Sequence, residues 1–257
     1  MAPVFEGWEP NADGSFSMVF GYFNRNWEGE LDVPTGPNNL IEPGATDQGQ
    51  PTRFYPRRTR FSFRVRVPKD FGNKEVVWTV TVNGKTEKAF ATLRPDYMMN
   101  RGVFEANNGL AQSGPENVPP TLTVDGERHR RVKVGTPVTL TAVVSDDGRP
   151  AARPMPPPTI KSNGIIPQAA MGLRFSWLIY RGAGTVSFDP PQFDAWENDR
   201  DGRDSPFSRG WSAPPAPRGG RWVVAATFGD PGTYVLRALA HDGALWSESD
   251  MTFVVER

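Results

Sequence analysis

The first part of the chain alternates between hydrophobic and polar side chains in several short stretches, a period of two that is typical of β-strands with one buried face. Residues 15–23 and 57–67 follow this pattern, and residues 27–33 follow it more loosely. Residues 75–93 carry Asn83-Gly84 between two alternating stretches, and this pair suits the positive φ angles of a type I′ hairpin turn. About five strands are therefore predicted before the pattern stops.

A long segment without regular alternation separates two of these strands. Residues 34–56 are rich in proline and glycine, which interrupt strands and favour turns. Structureless segments of this length are uncommon inside compact domains unless they bind something or pack on themselves as an Ω-like loop. Both alternatives remain open for residues 34–56 on sequence alone.

Alternating stretches resume near residue 120 and continue to the end of the chain, separated by turn residues. They cover residues 120–124, 130–148, 173–180, 184–190, 221–228, 232–243 and 250–256. About seven short strands at this spacing are typical of a β-sandwich.

The segment between the two groups of strands loses the alternation. Residues 94–118 gather Asn, Gly and Pro and are predicted to form an ordered linker, with a brief helical turn around residues 95–100. No long stretch has helical periodicity. The predicted fold class is all-β, with two β-sandwich domains at residues 1–93 and 119–257, the second carrying Pro-rich insertions.

Composition narrows the classes of function. Lys and Arg number 29, as do Asp and Glu, so the formal net charge is zero and the excess of positive charge expected of a general nucleic-acid binder is absent. The chain has no cysteine, which excludes disulfides, thiolate metal ligands and cysteine nucleophiles. No apolar stretch approaches the roughly 18 residues of a membrane span. We therefore expect neither nucleic-acid binding nor membrane insertion.

Three features of the second half occur together in a known kind of module. A GTP turn at 135–137 precedes the second strand, Trp177 lies in a predicted central strand, and PGTY at 231–234 leads into the penultimate strand, where Tyr234 resembles a tyrosine corner. With these features, residues 120–257 resemble the PKD-like and immunoglobulin-like sandwich modules of bacterial secreted and cell-surface proteins. The WDFGDG-type signature of strict PKD domains is missing, which leaves the choice between the two open.

The first half carries the phrases FGYFNRN, DVPTGPNN and FYPRR and resembles the opening of uncharacterised bacterial exported proteins that carry such a module behind it. This resemblance implies no activity, but it favours a periplasmic or extracellular protein. Met1-Ala2 then stands where a signal peptide has been replaced, although the residues themselves equally permit the natural start of a cytosolic protein.

The stretch FGYFNRNWEGELDVPTGPNN, at residues 20–39, is the main candidate for ligand binding. Aromatic rings can stack on a sugar or a peptide while amides supply directional hydrogen bonds. The predicted ligand-binding residues are Tyr22, Asn24, Asn26, Trp27, Asn38, Asn39 and Tyr55. The alternative is that the rings belong to the core and that the Asn side chains bind the loop backbone.

Residues 196–205, WENDRDGRDS, predict a calcium site. Glu197, Asp199 and Asp201, followed by Gly202, match the beginning of an EF-hand loop, in which alternate oxygens converge on the ion. The twelfth position of such a loop would be Ser208 rather than a bidentate carboxylate, so a solvated charged insertion is the alternative. SDDG at 145–148 could also supply calcium ligands, although Asp-Asp-Gly is common in turns.

Catalytic motifs are scarce. The two histidines are His129 and His241, and His241 adjoins Asp242, but adjacent residues in a strand point to opposite faces and do not form a dyad by themselves. No G-x-S-x-G elbow and no Gly-rich phosphate loop occurs. We therefore expect a non-enzymatic protein.

Two further features bear on partners. Arginines recur along residues 57–67 and could bind a polyanion, or could form the solvated face of an edge strand. Pro-rich insertions at 148–172 and 198–220 interrupt the second set of strands and suit docking against another protein, or form disordered or self-packed surface loops. The leading hypothesis is an exported interaction protein, an extrinsic subunit or scaffold of a periplasmic or cell-surface assembly whose partner is another envelope protein. The alternatives are a carbohydrate-binding module that takes a glycan and a hydrolase with a carboxylate pair.

Overall fold

The structure, a computed structural model, describes residues 1–108, 114–156 and 169–257. The chain forms two compact units, residues 1–101 and 102–257. The predicted boundaries at residues 93 and 119 stay a prediction. Residues 157–168 of the first Pro-rich insertion lie outside the described residues. No helix in the described ranges is both long and apolar enough to cross a membrane.

The first unit is built from antiparallel strands. They are β1 (Ala2–Pro10), β2 (Phe16–Asn24), β3 (Leu31–Asp32), β4 (Asn39–Glu42), β5 (Arg53–Phe54), β6 (Arg57–Val67), β7 (Val76–Val82) and β8 (Lys85–Ala91). One sheet has the order β1-β2-β6, a second has the order β4-β7-β8, and β3 pairs with β5 as a two-stranded ribbon. The hairpin predicted at Asn83-Gly84 is confirmed, because both residues have positive φ angles and Val82 pairs with Lys85.

Aromatic rings join the two larger sheets of this unit. Phe20 on β2 stacks on Phe63 of β6 with ring centroids 5.3 Å apart. Both rings meet the fully buried Trp78 of β7 edge to face, at 5.9 and 4.8 Å. Such rings each bury a large apolar area, and their contacts therefore form the centre of the core.

Two short helical segments follow the first unit's strands. A 3-10 helix spans Pro95–Tyr97, and the helix α1 spans Arg101–Asn107. The turn predicted around residues 95–100 corresponds to the first of these. The helix α1 was not predicted, because RGVFEAN is too short to show helical periodicity.

The second unit is a sandwich of two four-stranded sheets. Its strands are β9 (Thr121–Val124), β10 (His129–Lys133), β11 (Val138–Ser145), β12 (Arg174–Arg181), β13 (Val186–Asp189), β14 (Arg221–Phe228), β15 (Gly232–His241) and β16 (Trp246–Glu256). The sheets have the orders β10-β16-β15-β12 and β13-β14-β11-β9. The strand β10 pairs in parallel with β16, and the other pairs are antiparallel. The predicted all-β sandwich fold class is thus confirmed.

The features that suggested an Ig-like module have clear structural places. The Tyr234 hydroxyl donates to the carbonyl oxygen of Asp230 at 2.9 Å, so the predicted tyrosine corner is present. Trp177 is buried in the core of the sandwich. Its strand β12 is not central as predicted but lies at the edge of its described sheet. The side-chain oxygen of Gln192 accepts the backbone N–H of Trp177 at 2.8 Å. This bond covers part of the edge and makes pairing with a further strand there less favourable.

Three strands of the first unit lie where none was predicted, and one is shorter than predicted. The strand β1 carries Pro3 and a register shift between Phe5 and Gly7, which hide its alternation. The strands β4 and β5 lie inside the segment 34–56 that was predicted to be an irregular loop. The predicted strand 27–33 is reduced to the two residues of β3. Strands of two to four residues are too short for a period of two to be recognised.

Candidate functional site

Asn39 holds the loop that leads from β4 to β5. It is fully buried, and its amide nitrogen donates to the carbonyl oxygens of Val33 and Pro51 at 2.9 and 2.8 Å. Its amide oxygen accepts the indole N–H of Trp78 at 2.9 Å. Since buried polar groups need such partners, Asn39 acts as an internal support for the loop.

Asn24 plays the same part at the end of β2. Its buried amide nitrogen donates to the carbonyl oxygens of Gly29 and Phe54, at 2.8 and 3.3 Å. Its amide oxygen accepts the backbone N–H of Asn26 at 3.2 Å. The neighbouring Tyr22 is also buried, and its hydroxyl accepts the backbone N–H of Tyr55 at 3.0 Å. The side chains of Asn24 and Tyr22 therefore bind backbone groups of the neighbouring loops and help to hold these loops in place.

The remaining predicted ligand-binding residues lie closer to solvent. Trp27 is 46% exposed, and the guanidinium of Arg57 lies 3.8 Å from the centre of its ring and 5.0 Å from that of Phe23. Asn26 and Asn38 are exposed, and Tyr55 is half-buried. An Arg packed on Trp at this distance makes a cation–π contact. Ligand binding at the exposed members of the set stays a prediction.

The arginine row of β6 is paired with carboxylates. Arg58 contacts both carboxylate oxygens of Glu6 at 2.6 and 2.7 Å, and Arg64 contacts Glu9 at 2.6 Å. Arg66 pairs with Asp13. Burial raises the pKa of Glu6, and the charge of Arg58 opposes that rise. Much of the positive charge that suggested a polyanion site is therefore neutralised within the sheet.

The segment 190–217, which follows β13, is irregular yet internally hydrogen-bonded. The backbone N–H of Asp194 donates to the carbonyl oxygen of Asp204 at 2.7 Å. The Asp194 carboxylate accepts the Asn198 amide N–H at 2.9 Å, and the Asp204 carboxylate accepts the Trp211 indole N–H at 2.6 Å. Burial is the main cause of the raised pKa of Asp194. These contacts close the loop upon itself.

Hydroxyl groups and rings complete this closure. The buried Ser208 donates to the carbonyl oxygen of Asn198 at 2.8 Å. The ring of Trp211 packs against Phe193 with centroids 5.2 Å apart. The segment is therefore an ordered loop attached to the sandwich, and the contact of Gln192 with β12 fixes its first residues.

The predicted calcium ligands lie in this loop, mostly at its surface. Asp199 and Asp201 are exposed, Glu197 is half-buried, and Asp201 lies 3.8 Å from the guanidinium of Arg209. In the described ranges no three or more His, Cys, Asp or Glu side chains are grouped as a metal site. Calcium binding by these three acids stays a prediction.

His241 is half-buried and its ring is held by hydrogen bonding and stacking. Its Nδ1 accepts the backbone N–H of Gly243 at 2.8 Å, and its ring stacks near Trp246 with centroids 6.0 Å apart. Burial, helped by the charge of Arg174, lowers the pKa of His241 well below its usual value. The carboxylate of Asp242 binds other groups, the backbone N–H groups of Ala244 and Leu245 at 2.6 Å. His241 and Asp242 therefore do not form a catalytic dyad with one another.

The buried guanidinium of Arg237 lies in an ion cluster on the outer side of the sheet that contains β15. Arg237 contacts Asp250 through two nitrogens at 2.8 and 2.9 Å and Glu248 at 3.3 Å. Its guanidinium lies 3.6 Å from the ring centre of Tyr180. Burial raises the pKa of Tyr180, while hydrogen bonding to Asp250 and nearby negative charge raise that of Arg237 against the effect of burial. The closed pairing of these charges is typical of a structural ion cluster.

Comparison with known proteins supplies no family. No family model matches the chain, and no curated protein matches it. Among solved structures, a conjugative transposon lipoprotein from Bacteroides eggerthii is 12% identical with a TM-score of 0.31, covering 52% of this chain and 96% of that one. The Yersinia pseudotuberculosis adhesin InvE is 13% identical with a TM-score of 0.28, covering 98% of this chain and 58% of that one. The D00-D0 domain of intimin is 12% identical with a TM-score of 0.27, and 98% of each chain is covered. Similarities this distant carry no functional inference.

Proposed function

We propose that this protein is a non-enzymatic, exported interaction protein, an extrinsic subunit or scaffold of a periplasmic or cell-surface assembly. In this proposal, residues 190–217 form the docking loop for another envelope protein, and the second unit is a PKD-like or immunoglobulin-like module. The resemblance of residues 120–257 to such modules supports export.

The observation that carries the proposal is the internal order of the docking loop. Residues 190–217 contain no strand, yet hydrogen bonds that join Asp194, Asp204 and Trp211 close the part between residues 194 and 211 upon itself. A loop that is ordered before binding loses less conformational entropy when a partner docks. Ordered loops on rigid sandwiches are also common places for recognition.

The experiment compares crosslinked partners captured from the native cell envelope by three forms of the chain. One is the full chain, and one has residues 198–210 replaced by a short Gly-Ser turn. The third carries Lys85→Ala and Lys88→Ala on β8, outside the docking loop. We expect one specific partner that is captured by the full chain and the lysine variant and lost with the shortened loop. Capture by all three forms, or by none, would contradict the proposal.

Folding of the shortened form is checked separately so that loss of the partner is not mistaken for loss of the sandwich. Trp177 is buried in the sandwich core, and its fluorescence contributes to the unfolding signal of the second unit. We expect the shortened form to keep a cooperative unfolding transition, because Gln192 still protects the edge of β12.

A second candidate function, carbohydrate binding, is favoured by the exposed ring of Trp27. Although Arg57 packs on the ring, 46% of Trp27 remains exposed beside the exposed Asn26, and sugar recognition uses an aromatic surface with a neighbouring amide. A glycan array with the full chain tests this function, with Trp27→Ala as the variant. Phe90→Ala is the matched control, because Phe90 is 53% exposed in another part of the first unit. Binding that Trp27→Ala abolishes and Phe90→Ala preserves would support it.

A further inference from the structure

Three loops of the second unit bring oxygen-bearing side chains together. Asn117 lies shortly before β9, Asp146 directly follows β11, and Asp242 directly follows β15. The Asn117 amide donates to the Asp242 carboxylate at 3.0 Å. The next residue, Val118, donates its backbone N–H to the Asp147 carboxylate at 3.3 Å. We call Asn117, Asp146 and Asp242 the three-loop cluster.

Two oxygens of the three-loop cluster are buried without a hydrogen bond. They are Oδ1 of Asn117 and Oδ1 of Asp146, and neither has a partner within the described parts of the chain. Asn117 is fully buried, and its amide group lies against the Asp242 carboxylate. A buried acceptor that is left unsatisfied destabilises the fold, because it has lost its hydrogen bonds to water without replacement. Two such acceptors in one cluster indicate that a positively charged or donating group belongs there.

The negative charge of the three-loop cluster indicates that the group that binds there is a cation. Asp242 is fully buried, and its Oδ2 faces the buried amide of Asn117. The carboxylates of Asp242 and of the adjacent Asp147 lie close enough to Asp146 for their negative charges to act on it. Like charges held close together in this way favour a cation between them.

Neighbouring cations are engaged elsewhere. Arg174 is the cation whose charge acts on Asp242, but its two terminal nitrogens contact the carbonyl oxygen of Ala170 at 2.9 Å and His241 at 3.4 Å. Arg149 pairs with Glu116 at 2.6 Å. In the described residues, no side-chain cation hydrogen-bonds to the carboxylates of Asp146 or Asp242.

We propose that the three-loop cluster binds a calcium ion through Asn117 Oδ1, Asp146 Oδ1 and Asp242 Oδ2. Calcium takes carboxylate and amide oxygens together with backbone oxygens and water in flexible geometry, whereas magnesium requires near-octahedral geometry. Two of the three proposed ligands are carboxylates and the third is an amide. The cluster is therefore not a group of three His, Cys, Asp or Glu side chains, and no such group occurs in the described ranges. It is also distinct from Glu197, Asp199 and Asp201.

The bound ion would connect the beginning of the second unit to both of its sheets. The strands β9 and β11 belong to one sheet, and β15 belongs to the other. Because a ligand that binds only the folded state raises its stability by mass action, calcium is expected to stabilise this unit. Sites of this kind in extracellular proteins have dissociation constants of roughly 0.1–1 mM.

The test measures calcium binding by calorimetry and thermal unfolding of the full chain in chelator and in millimolar calcium. The central variant is Asp146→Asn, which keeps an acceptor for the backbone N–H of Gly148, now received by Asp146 Oδ2 at 3.0 Å. The matched control carries Asp199→Asn and Asp201→Asn in the docking loop. Magnesium chloride at equal concentration controls for general effects of salt.

We expect calcium to raise the unfolding temperature of the unmodified chain and of the control, but not that of Asp146→Asn. Calcium affinity should fall at least about tenfold in Asp146→Asn, because affinity depends on ligand charge. In chelator this variant should be at least as stable as the unmodified chain. A lower stability in chelator would instead indicate that the Asp146 carboxylate has a merely structural role. No calcium response, an unchanged response in Asp146→Asn, or a response lost only in the control would overturn the proposal.

Discussion

At the scale of single residues, Asp146 is a carboxylate whose ionisation the fold opposes. Its pKa is raised from 3.8 to about 6, first by burial and then by the charges of Asp242 and Asp147. An acid with a raised folded-state pKa takes up its proton in the folded state first, so its unfavourable contribution is present at neutral pH and is relieved as the pH falls through about 6.

We therefore predict a pH-dependent difference between the unmodified chain and Asp146→Asn in the absence of calcium. The free energy of unfolding of the unmodified chain should rise relative to that of the variant between about pH 7 and about pH 5. His241 acts in the opposite direction. Its pKa is lowered in the folded state, so the unfolded state takes up its proton first as the pH falls below about 6.5, which lowers the free energy of unfolding. This effect is present in both proteins and does not contribute to the difference between them. Urea unfolding in chelator at several pH values checks this, and a difference independent of pH would contradict it.

Gly21 is a second residue whose role depends on atoms close to it. A Cβ at this position would overlap the Glu6 carboxylate and would lie 2.5 Å from the carbonyl oxygen of Thr59 and 3.0 Å from Arg58. The side chains of Glu6 and Arg58 can thus meet across β2 only because residue 21 has no side chain. The sequence shows a glycine within a strand but not which neighbouring groups require it.

We predict that Gly21→Ala lowers the free energy of unfolding of the first unit by about 1–3 kcal/mol, the usual effect of overpacking. The matched control is Gly29→Ala, where the nearest atoms belong to the exposed side chain of Asn26 at 3.1 Å. This control should stay within about 0.5 kcal/mol of the unmodified chain. Denaturant unfolding compares the two, and equal effects would show that the close approach at Gly21 is relieved without loss.

At the scale of elements, strands with strict alternation were predictable and short or interrupted ones were not. The strand β6 was predicted at its observed bounds, and the β7–β8 hairpin was predicted from its turn. The strand β4 was missed because NLIE begins with the second residue of the turn-like pair Asn38-Asn39 and offers only four residues. Its position depends on the buried amide of Asn39, a long-range contact that local pattern does not reveal.

Asn39 provides the prediction for the loop 34–56. Asn39→Ala should lower the free energy of unfolding by roughly 2–4 kcal/mol, since it removes bonds to Val33 and Pro51 and leaves the Trp78 indole N–H unpaired. Asn38→Ala is the matched control, because Asn38 is an exposed neighbour of the same type. Urea unfolding followed by tryptophan fluorescence measures both. A loss no larger than that of the control would contradict the supporting role assigned to Asn39.

At the scale of the whole molecule, the sequence predicted the fold class better than it predicted the sites. The alternation of hydrophobic and polar residues can be recognised from neighbouring positions alone, and it recurs in the long strands. The three-loop cluster instead joins residues as distant as Asn117 and Asp242. The Asp-Gly pairs at 147–148 and 242–243 were visible in the sequence, but their meeting depends on how β11 and β15 lie in the two sheets.

Charge is also a property of the whole molecule, and it leads to a test of polyanion binding. The formal net charge is zero, and Arg58, Arg64 and Arg66 have carboxylate partners. Polyanion binding depends on positive charges that can displace counterions, and paired arginines contribute little to it. We therefore predict that the chain elutes from a heparin column below about 0.15 M salt.

A variant that removes two of these carboxylates makes the prediction specific. Glu9→Gln combined with Asp13→Asn takes away the acids that pair with Arg64 and Arg66 and leaves those arginines in place. Retention on heparin should then increase, because the net charge rises by two and the added positive charge is concentrated on one sheet. A comparable gain of charge at Asp199→Asn and Asp201→Asn serves as the control and should increase retention less. Strong retention of the unmodified chain, or equal gains in both variants, would mean that internal pairing on β6 does not govern the surface charge.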